Sequence, residues 1–376
     1  MAQKQPQPRS HLLIGTIVAA NLKHRPTRTF LSILLIAVPV TLILTLVGLS
    51  HGYVEDSTRR TRGVGMDVIV RSPDAALMSM SVSNMPQKLV ERLAQVPHVA
   101  LATGVSSHQV VGWTSVSGIE VKTFEKMSGG FTYVEGHGFR QPDDILLDTY
   151  YAQQIKAHAG SRINLLNHQW TVAGIVVPGN LAHIFLPLNV LQELDGSTGK
   201  IAQIYLKLDD QRNAPLVEQE LKNLLPGYHI YLLQEWLSLT SVDNVPFLKA
   251  LLNVIIGVGV IIGAAVASLS MYMAVMQRTR EIGILKSLGA SKYFVINMIL
   301  IEAVLLGLGG SVLGIVFSFG SKYLLAKLVP ASLPLAIVPG WWPIAGAIAM
   351  GAAILGALYP GVLAARQDPI EALSYE

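Results

Sequence analysis

The stretch Gln277–Phe294, QRTREIGILKSLGASKYF, interrupts a chain whose neighbouring segments contain almost nothing polar. Ile282, Leu285 and Leu288 recur at three-residue spacing with Ile284 beside them, so the spacing predicts a short helix with one apolar side. Arg280, Glu281 and Lys286 flank that stripe, Gly289 supplies a stop, and Ser291 can cap whatever follows. On either side lie Ala250–Met276 and Phe294–Gly320, each long enough to cross a bilayer core, which takes about 20 residues. The organisation therefore turns on a short polar helix held between two membrane spans.

Composition agrees. Hydrophobic residues make up 51% of the chain and charged residues 14%, with a mean hydropathy of +0.46. A soluble domain carries about a quarter charged residues. Phe30–Leu49 and Trp341–Leu363 supply two further spans. The first of these is too long for the apolar core of a signal peptide, and SHGYVEDS follows it rather than a small-residue cleavage site, so it reads as an uncleaved span. Glu302 is the one charged residue inside any span, roughly 12 Å along its segment at 1.5 Å per residue. A charge near mid-bilayer costs about 2.5–3.5 kcal/mol on insertion scales. A structural hydrogen bond to a neighbouring helix or hydroxyl is its expected role, with translocation chemistry as the alternative.

Basic residues set the expected orientation. Lys4, Arg9, Lys23, Arg25 and Arg28 precede the first span, Arg278, Arg280, Lys286 and Lys292 lie in the polar block, and Arg366 follows the last span. VPASLPLAIVPG, residues 329–340, has no basic residue, and Trp341 with Trp342 reads as an outer aromatic belt. Both termini and the block are thus expected in the cytoplasm. The fold class is a membrane α-helical protein of four spans with a large α+β extracytoplasmic domain between the first and second.

The expected boundaries are 1–28 for a cytoplasmic tail and amphipathic elbow helix, 29–50 for the first span and 51–245 for the external domain. They continue as 246–277 for the second span, 278–292 for the cytoplasmic helix and 293–326 for the third span. An outer loop at 327–340, the fourth span at 341–363 and a C-terminal helix at 364–376 complete the chain. Within the external domain DVIVR, RINLL, WTVAGIVV and IAQIYLKL read as strands. PQKLVERLAQV and PLVEQELKNLL read as helices, each followed by a short apolar strand, a faint helix–strand repeat.

No phosphate-binding G-x-x-x-x-G-K-[ST] loop, zinc-protease helix or G-x-S-x-G elbow occurs, so neither a nucleotide site nor a catalytic constellation is expected. Eight of the ten histidines fall in the external domain without metal-ligand spacing, and no metal is expected. The chain has no cysteine, so the external domain does not depend on disulfides. Its pI near 9.1 is accounted for by cytoplasmic flanks beside anionic lipid rather than by nucleic acid. GLGGSVLG, Gly307–Gly314, places Gly310 and Gly314 at helix-packing spacing, as a dimer seam or an intramolecular contact. Met78, Met80 and Met85, with His51 and Tyr53, gather soft and aromatic ligand types just outside the first span. They suit haem or a similar amphiphile, or ordinary packing. In QDPIEAL, Asp368 can be an N-cap, Pro369 sits at N1 and Glu371 reaches N3, the arrangement of a capping box.

RTREIGILKSLGAS closely resembles the segment after the second span of MacB/FtsX-like ABC permeases. YPGVLAARQDPIEAL resembles the tail of that family, NLKHRPTRTFLSILLIAVPV its elbow and first span, and Asp143–Val176 its periplasmic module. In size the chain is closer to the HrtB- and DevC-like branches than to the macrolide-exporter branch. The resemblance implies a homodimeric permease of the bacterial inner membrane that works by mechanotransmission with a separate dimeric ABC ATPase. ATP and magnesium would be bound by that partner, and no cofactor by this chain. It makes Arg280, Glu281, Ile282, Leu285, Lys286, Leu288 and Gly289 a coupling helix and Asp368, Pro369 and Glu371 a second ATPase contact. It implies export of a hydrophobic or amphiphilic molecule, with a fusion adaptor and an outer-membrane channel left open as further partners. The alternative is a non-transporting, FtsX-like signalling protein that relays ATPase motion to a cell-wall hydrolase.

Overall fold

The computed structural model describes residues 18, 23–24, 26–75, 85–109, 115–241, 244, 246–328 and 335–367. The expected C-terminal contact Asp368, Pro369 and Glu371 lies outside the described residues, as do Met78, Met80 and most of the elbow segment. The chain divides into a helical unit (Met1–Ser50, Phe247–Lys327, Leu335–Glu376) and an α/β unit (His51–Pro246, Leu328–Pro334).

Helix α1 (Pro26–Gly63) runs well past the expected end of its span at residue 50. Its polar continuation stays helical because Asp56 pairs with Arg59 and Arg60 at helical spacing, at 2.8 and 3.0 Å. Arg60 and Arg62 also suit the negative end of the helix dipole.

Six short α-helices follow among the described residues of the α/β unit: α2 (Leu89–Leu93), α3 (Val121–Ser128), α4 (Thr149–Ile155), α5 (Leu188–Leu194), α6 (Ala214–Leu224) and α7 (Leu233–Leu239). Its strands are β1 (Val68–Arg71), β2 (Met85–Pro86), β3 (Val99–Gln109), β4 (Ser115–Ile119), β5 (Tyr133–Gly136) and β6 (Asp144–Asp148). They continue as β7 (Arg162–Leu165), β8 (His168–Val176), β9 (Ile184–Pro187), β10 (Lys200–Ile201), β11 (Gln203–Leu208) and β12 (His229–Leu232). One sheet runs β12-β1-β11-β3-β4-β9-β6-β8-β5, with β7 on β8, and β2 pairs with β10 apart from it.

Each of its first four strands runs antiparallel to its neighbours, and together they carry the helix–strand repeat: β1-α2-β3 and β11-α6-β12 interleave as two split βαβ units. Leu93 and Val96 from the first helix region and Val217, Leu221 and Leu225 from the second close one core over Val68, Val70, Ile204, Leu206 and Ile230. The second half of the sheet is inserted between β3 and β11 and has its own core around Trp170, Val172, Ile145 and Leu191. Helix α2 is shorter than the eleven-residue segment that its periodicity marked.

The helical unit continues with α8 (Pro246–Gln277), α9 (Thr279–Ser287), α10 (Lys292–Leu328) and α11 (Trp341–Arg366). Among the described residues four helices, α1, α8, α10 and α11, are long and apolar enough to cross a membrane. Small residues let them approach. A Cβ on Gly310 would stand 2.5 Å from Ile36 and one on Gly314 2.7 Å from Val40, so this seam is an intramolecular contact of α10 with α1. Thr41 donates to the Gly314 carbonyl at 3.2 Å beside it. A Cβ on Gly356 in the alanine-rich α11 would meet the Ala264 carbonyl of α8 at 2.1 Å.

Candidate functional site

The site is built where α8 ends. Arg278 leaves helical geometry (φ −118°, ψ 18°), which turns the chain into α9. Glu281 sits in the first turn of α9, at the positive end of its dipole. Gly289, at φ +95°, ends the helix. Its N–H bonds the Lys286 carbonyl and the Ala290 N–H bonds the Leu285 carbonyl, both at 3.0 Å, the Schellman pattern that needs a left-handed residue. The Ser291 hydroxyl then accepts from the Phe294 N–H at 3.2 Å and starts α10.

Two cations tie this block to the spans. Arg278 donates through both terminal nitrogens to the two carboxylate oxygens of Glu302, each at 3.2 Å, and the pair is almost wholly buried. The expected hydrogen bond of Glu302 is thus made not to a hydroxyl but to a guanidinium from the polar block. A bidentate fork fixes direction as well as distance. Lys286 turns away from the apolar stripe and donates to the Ala365 carbonyl at 3.0 Å and to that of Gln367, closing the C-terminal end of α11. Lys286 is therefore a helix cap and not a rim charge.

The stripe also divides. At about 100° per residue a three-residue step slips by about 60°, so Ile282 and Leu288 point about 120° apart. Ile282 is buried, Leu285 is half-buried and Leu288 is 80% exposed. Ile284, four residues before Leu288, is 44% exposed. The free edge of α9 is thus Ile284 and Leu288 with Arg280, Glu281 and Ser287 around them. A four-residue step, from Ile284 to Leu288, marks this edge in the sequence. The partnership of Arg278 had no signal beyond the single acid in the next span, because the block offers Arg280, Lys286 and Lys292 as well.

Of the other expected group, His51, Tyr53 and Met85 are described, and Met78 and Met80 lie outside the described residues. His51 and Tyr53 are half-buried on α1, two residues and so about 160° apart around the helix. Met85 is fully buried in the α/β core, where it pairs with Ile201 across β2 and β10. Among the described residues no cluster of three or more His, Cys, Asp or Glu could hold a metal. Several histidines face carboxylates instead, such as His168 with Asp143 at 2.8 Å and His183 with Asp148 at 2.5 Å.

The fold and this site define a membrane protein whose α/β domain follows its first span and whose second and third spans are joined by a capped, charge-tied helix. Residues 29–224 match the MacB-like periplasmic core domain and residues 253–369 the FtsX-like permease C-terminal region. The chain belongs to the MacB/FtsX-like family of ABC transporter permeases. It is 23% identical, over 93% of its length, to the macrolide export ATP-binding/permease protein MacB of Acinetobacter baylyi. It is 25% identical, over 80%, to that of Aggregatibacter actinomycetemcomitans. The chain spans 57% and 51% of the lengths of these two relatives. A crystal structure of the periplasmic region of MacB from Actinobacillus actinomycetemcomitans is similar to 46% of this chain, over 92% of its own length, at 16% identity and a TM-score of 0.37.

Proposed function

We propose that this chain is the permease subunit of an efflux transporter that exports a hydrophobic or amphiphilic molecule, driven by a separate cytoplasmic ABC ATPase. The supporting observation is α9. It is too short to cross a membrane, it exposes Ile284 and Leu288, and it is tied through Arg278 and Lys286 to α10 and α11. An exposed apolar edge rimmed by charge suits a groove in a partner protein. Closure of a docked ATPase would push on α9, and the two cationic ties would carry that displacement into the spans. In this account the permease is a homodimer, with α9 and both termini in the cytoplasm and the α/β unit outside it. Asp368, Pro369 and Glu371 form a second ATPase contact.

The test is reconstitution of the chain with its ABC ATPase in liposomes and efflux measurement against a panel of labelled amphiphiles. ATP-dependent efflux of a panel member is the expected result. Full ATPase stimulation without efflux, together with a cell-separation defect in a deletion strain, would instead establish the signalling alternative.

A further inference from the structure

Helix α1 ends in the α/β unit against two other segments, and each of the three touches both of the others. The first contact joins α1 to the loop before β9. Gly63 lies so close to that loop that a Cβ there would stand 1.8 Å from the Gly179 carbonyl. Next to it the Leu181 N–H donates to the Arg60 carbonyl at 3.1 Å. That carbonyl belongs to the last turn of α1, where helical partners run out.

The second contact joins the loop to the start of α4. His183 Nδ1 donates to Asp148 Oδ2 at 2.5 Å with both side chains buried, and the Asp148 N–H bonds the His183 carbonyl at 2.8 Å. The other oxygen of Asp148 accepts the Tyr151 N–H at 2.8 Å and so caps α4. The third contact closes the ring, because Arg59 of α1 is hydrogen-bonded to Tyr150 in the first turn of α4.

Three bodies joined pairwise cannot slide without breaking at least one junction. The chain leaving α1 enters β1, in the other half of the sheet, yet the ring fastens α1 to the inserted half, at β6, β9 and α4. We infer that the end of α1 and the β6–β9–α4 region form one rigid joint through which displacement of α1 reaches the inserted half of the sheet, with Gly63, Leu181 and Tyr150 as its positioning residues. This rests on the permease reading, which supplies the displacement.

The test uses the full chain with its ATPase in lipid nanodiscs. Spin labels are placed at Glu55→Cys on α1 and Gln153→Cys on α4, both exposed positions in a chain without cysteine, with labelled chain diluted into unlabelled chain. Electron–electron resonance gives the distance distribution without nucleotide and after trapping with ATP and vanadate. One narrow distribution, the same in both states, is expected. In Gly63→Val the distribution broadens and the two states separate, while co-purification with the ATPase is unchanged. Should Gly63→Val not accumulate in the membrane, the Tyr150→Phe, His183→Asn double variant takes its place with the same expectation.

A nucleotide-driven shift in the unaltered chain beyond the width of its nucleotide-free distribution would overturn the joint. So would a variant distribution as narrow and as indifferent to nucleotide as that of the unaltered chain. If the ATPase fails to co-purify with the unaltered chain, the permease reading fails. The nucleotide-free widths of variant and unaltered chain then still decide whether the joint exists.

Discussion

Arg278 and Glu302, 24 residues apart and on different helical segments, meet as a two-pronged ion pair with both contacts at 3.2 Å. The pair joins the break between α8 and α9 to the body of α10. A buried pair is costly to break singly, because the survivor is left as an uncompensated charge.

Glu302→Ala should therefore cost about 3–5 kcal/mol, seen as a large fall in the thermal midpoint of the purified permease. The exchange Arg278→Glu with Glu302→Arg should recover part of that loss. An exchange variant no better than the single variants would show that the two groups do not act as a pair.

The Gly310–Gly314 seam predicts a steric effect. Gly310→Leu drives a side chain into Ile36 and should destabilise by about 1–3 kcal/mol, the usual cost of overpacking. Gly257→Ala, whose Cβ meets nothing within 4 Å, should be neutral. Equal midpoints for the two variants in the same detergent would move the seam elsewhere.

Met85 offers a choice between ligand and core. Because it is fully buried in the α/β core, Met85→Ala should destabilise by about 2–5 kcal/mol. Met85→Leu, with nearly the same volume, should cost less than about 1.5 kcal/mol. A haem titration whose Soret shift disappears in Met85→Leu, with the midpoint unchanged, would restore the ligand role.

Orientation is tested with single cysteines at Thr198 and Ser287, both exposed positions. An impermeant thiol reagent applied to intact cells should label position 198 and spare position 287. The reverse pattern would invert the topology.

What the sequence disclosed follows from physical range. The spans were legible because a bilayer demands an unbroken apolar run, and the Gly289 stop and Ser291 cap because both are local backbone chemistry. The continuation of α1 to Gly63 was not, since ion pairs rather than apolar periodicity carry it. The free edge of α9 was misread because a three-residue repeat drifts around a helix: it grouped buried Ile282 with exposed Leu288. The Arg278–Glu302 pair and the approach of Gly63 to Gly179 depend on distances between segments, which no single-chain pattern encodes.

The central claim is that the free edge of α9 docks the ATPase, and Leu288→Asp tests it most directly. Leu288 is 80% exposed, so the change leaves the fold of the spans intact. A leucine-sized anchor buried in a partner's groove contributes about 1.5–3 kcal/mol. At about 1.4 kcal/mol per decade, its loss should weaken docking at least tenfold. The measurement is the affinity of the purified ATPase for unaltered and Leu288→Asp permease in nanodiscs, at matched folding. A dissociation constant raised tenfold or more, with stimulated ATP hydrolysis falling in step, is the predicted result. Equal affinity and equal stimulation would mean that this edge rests on lipid, and that α9 is not the coupling element.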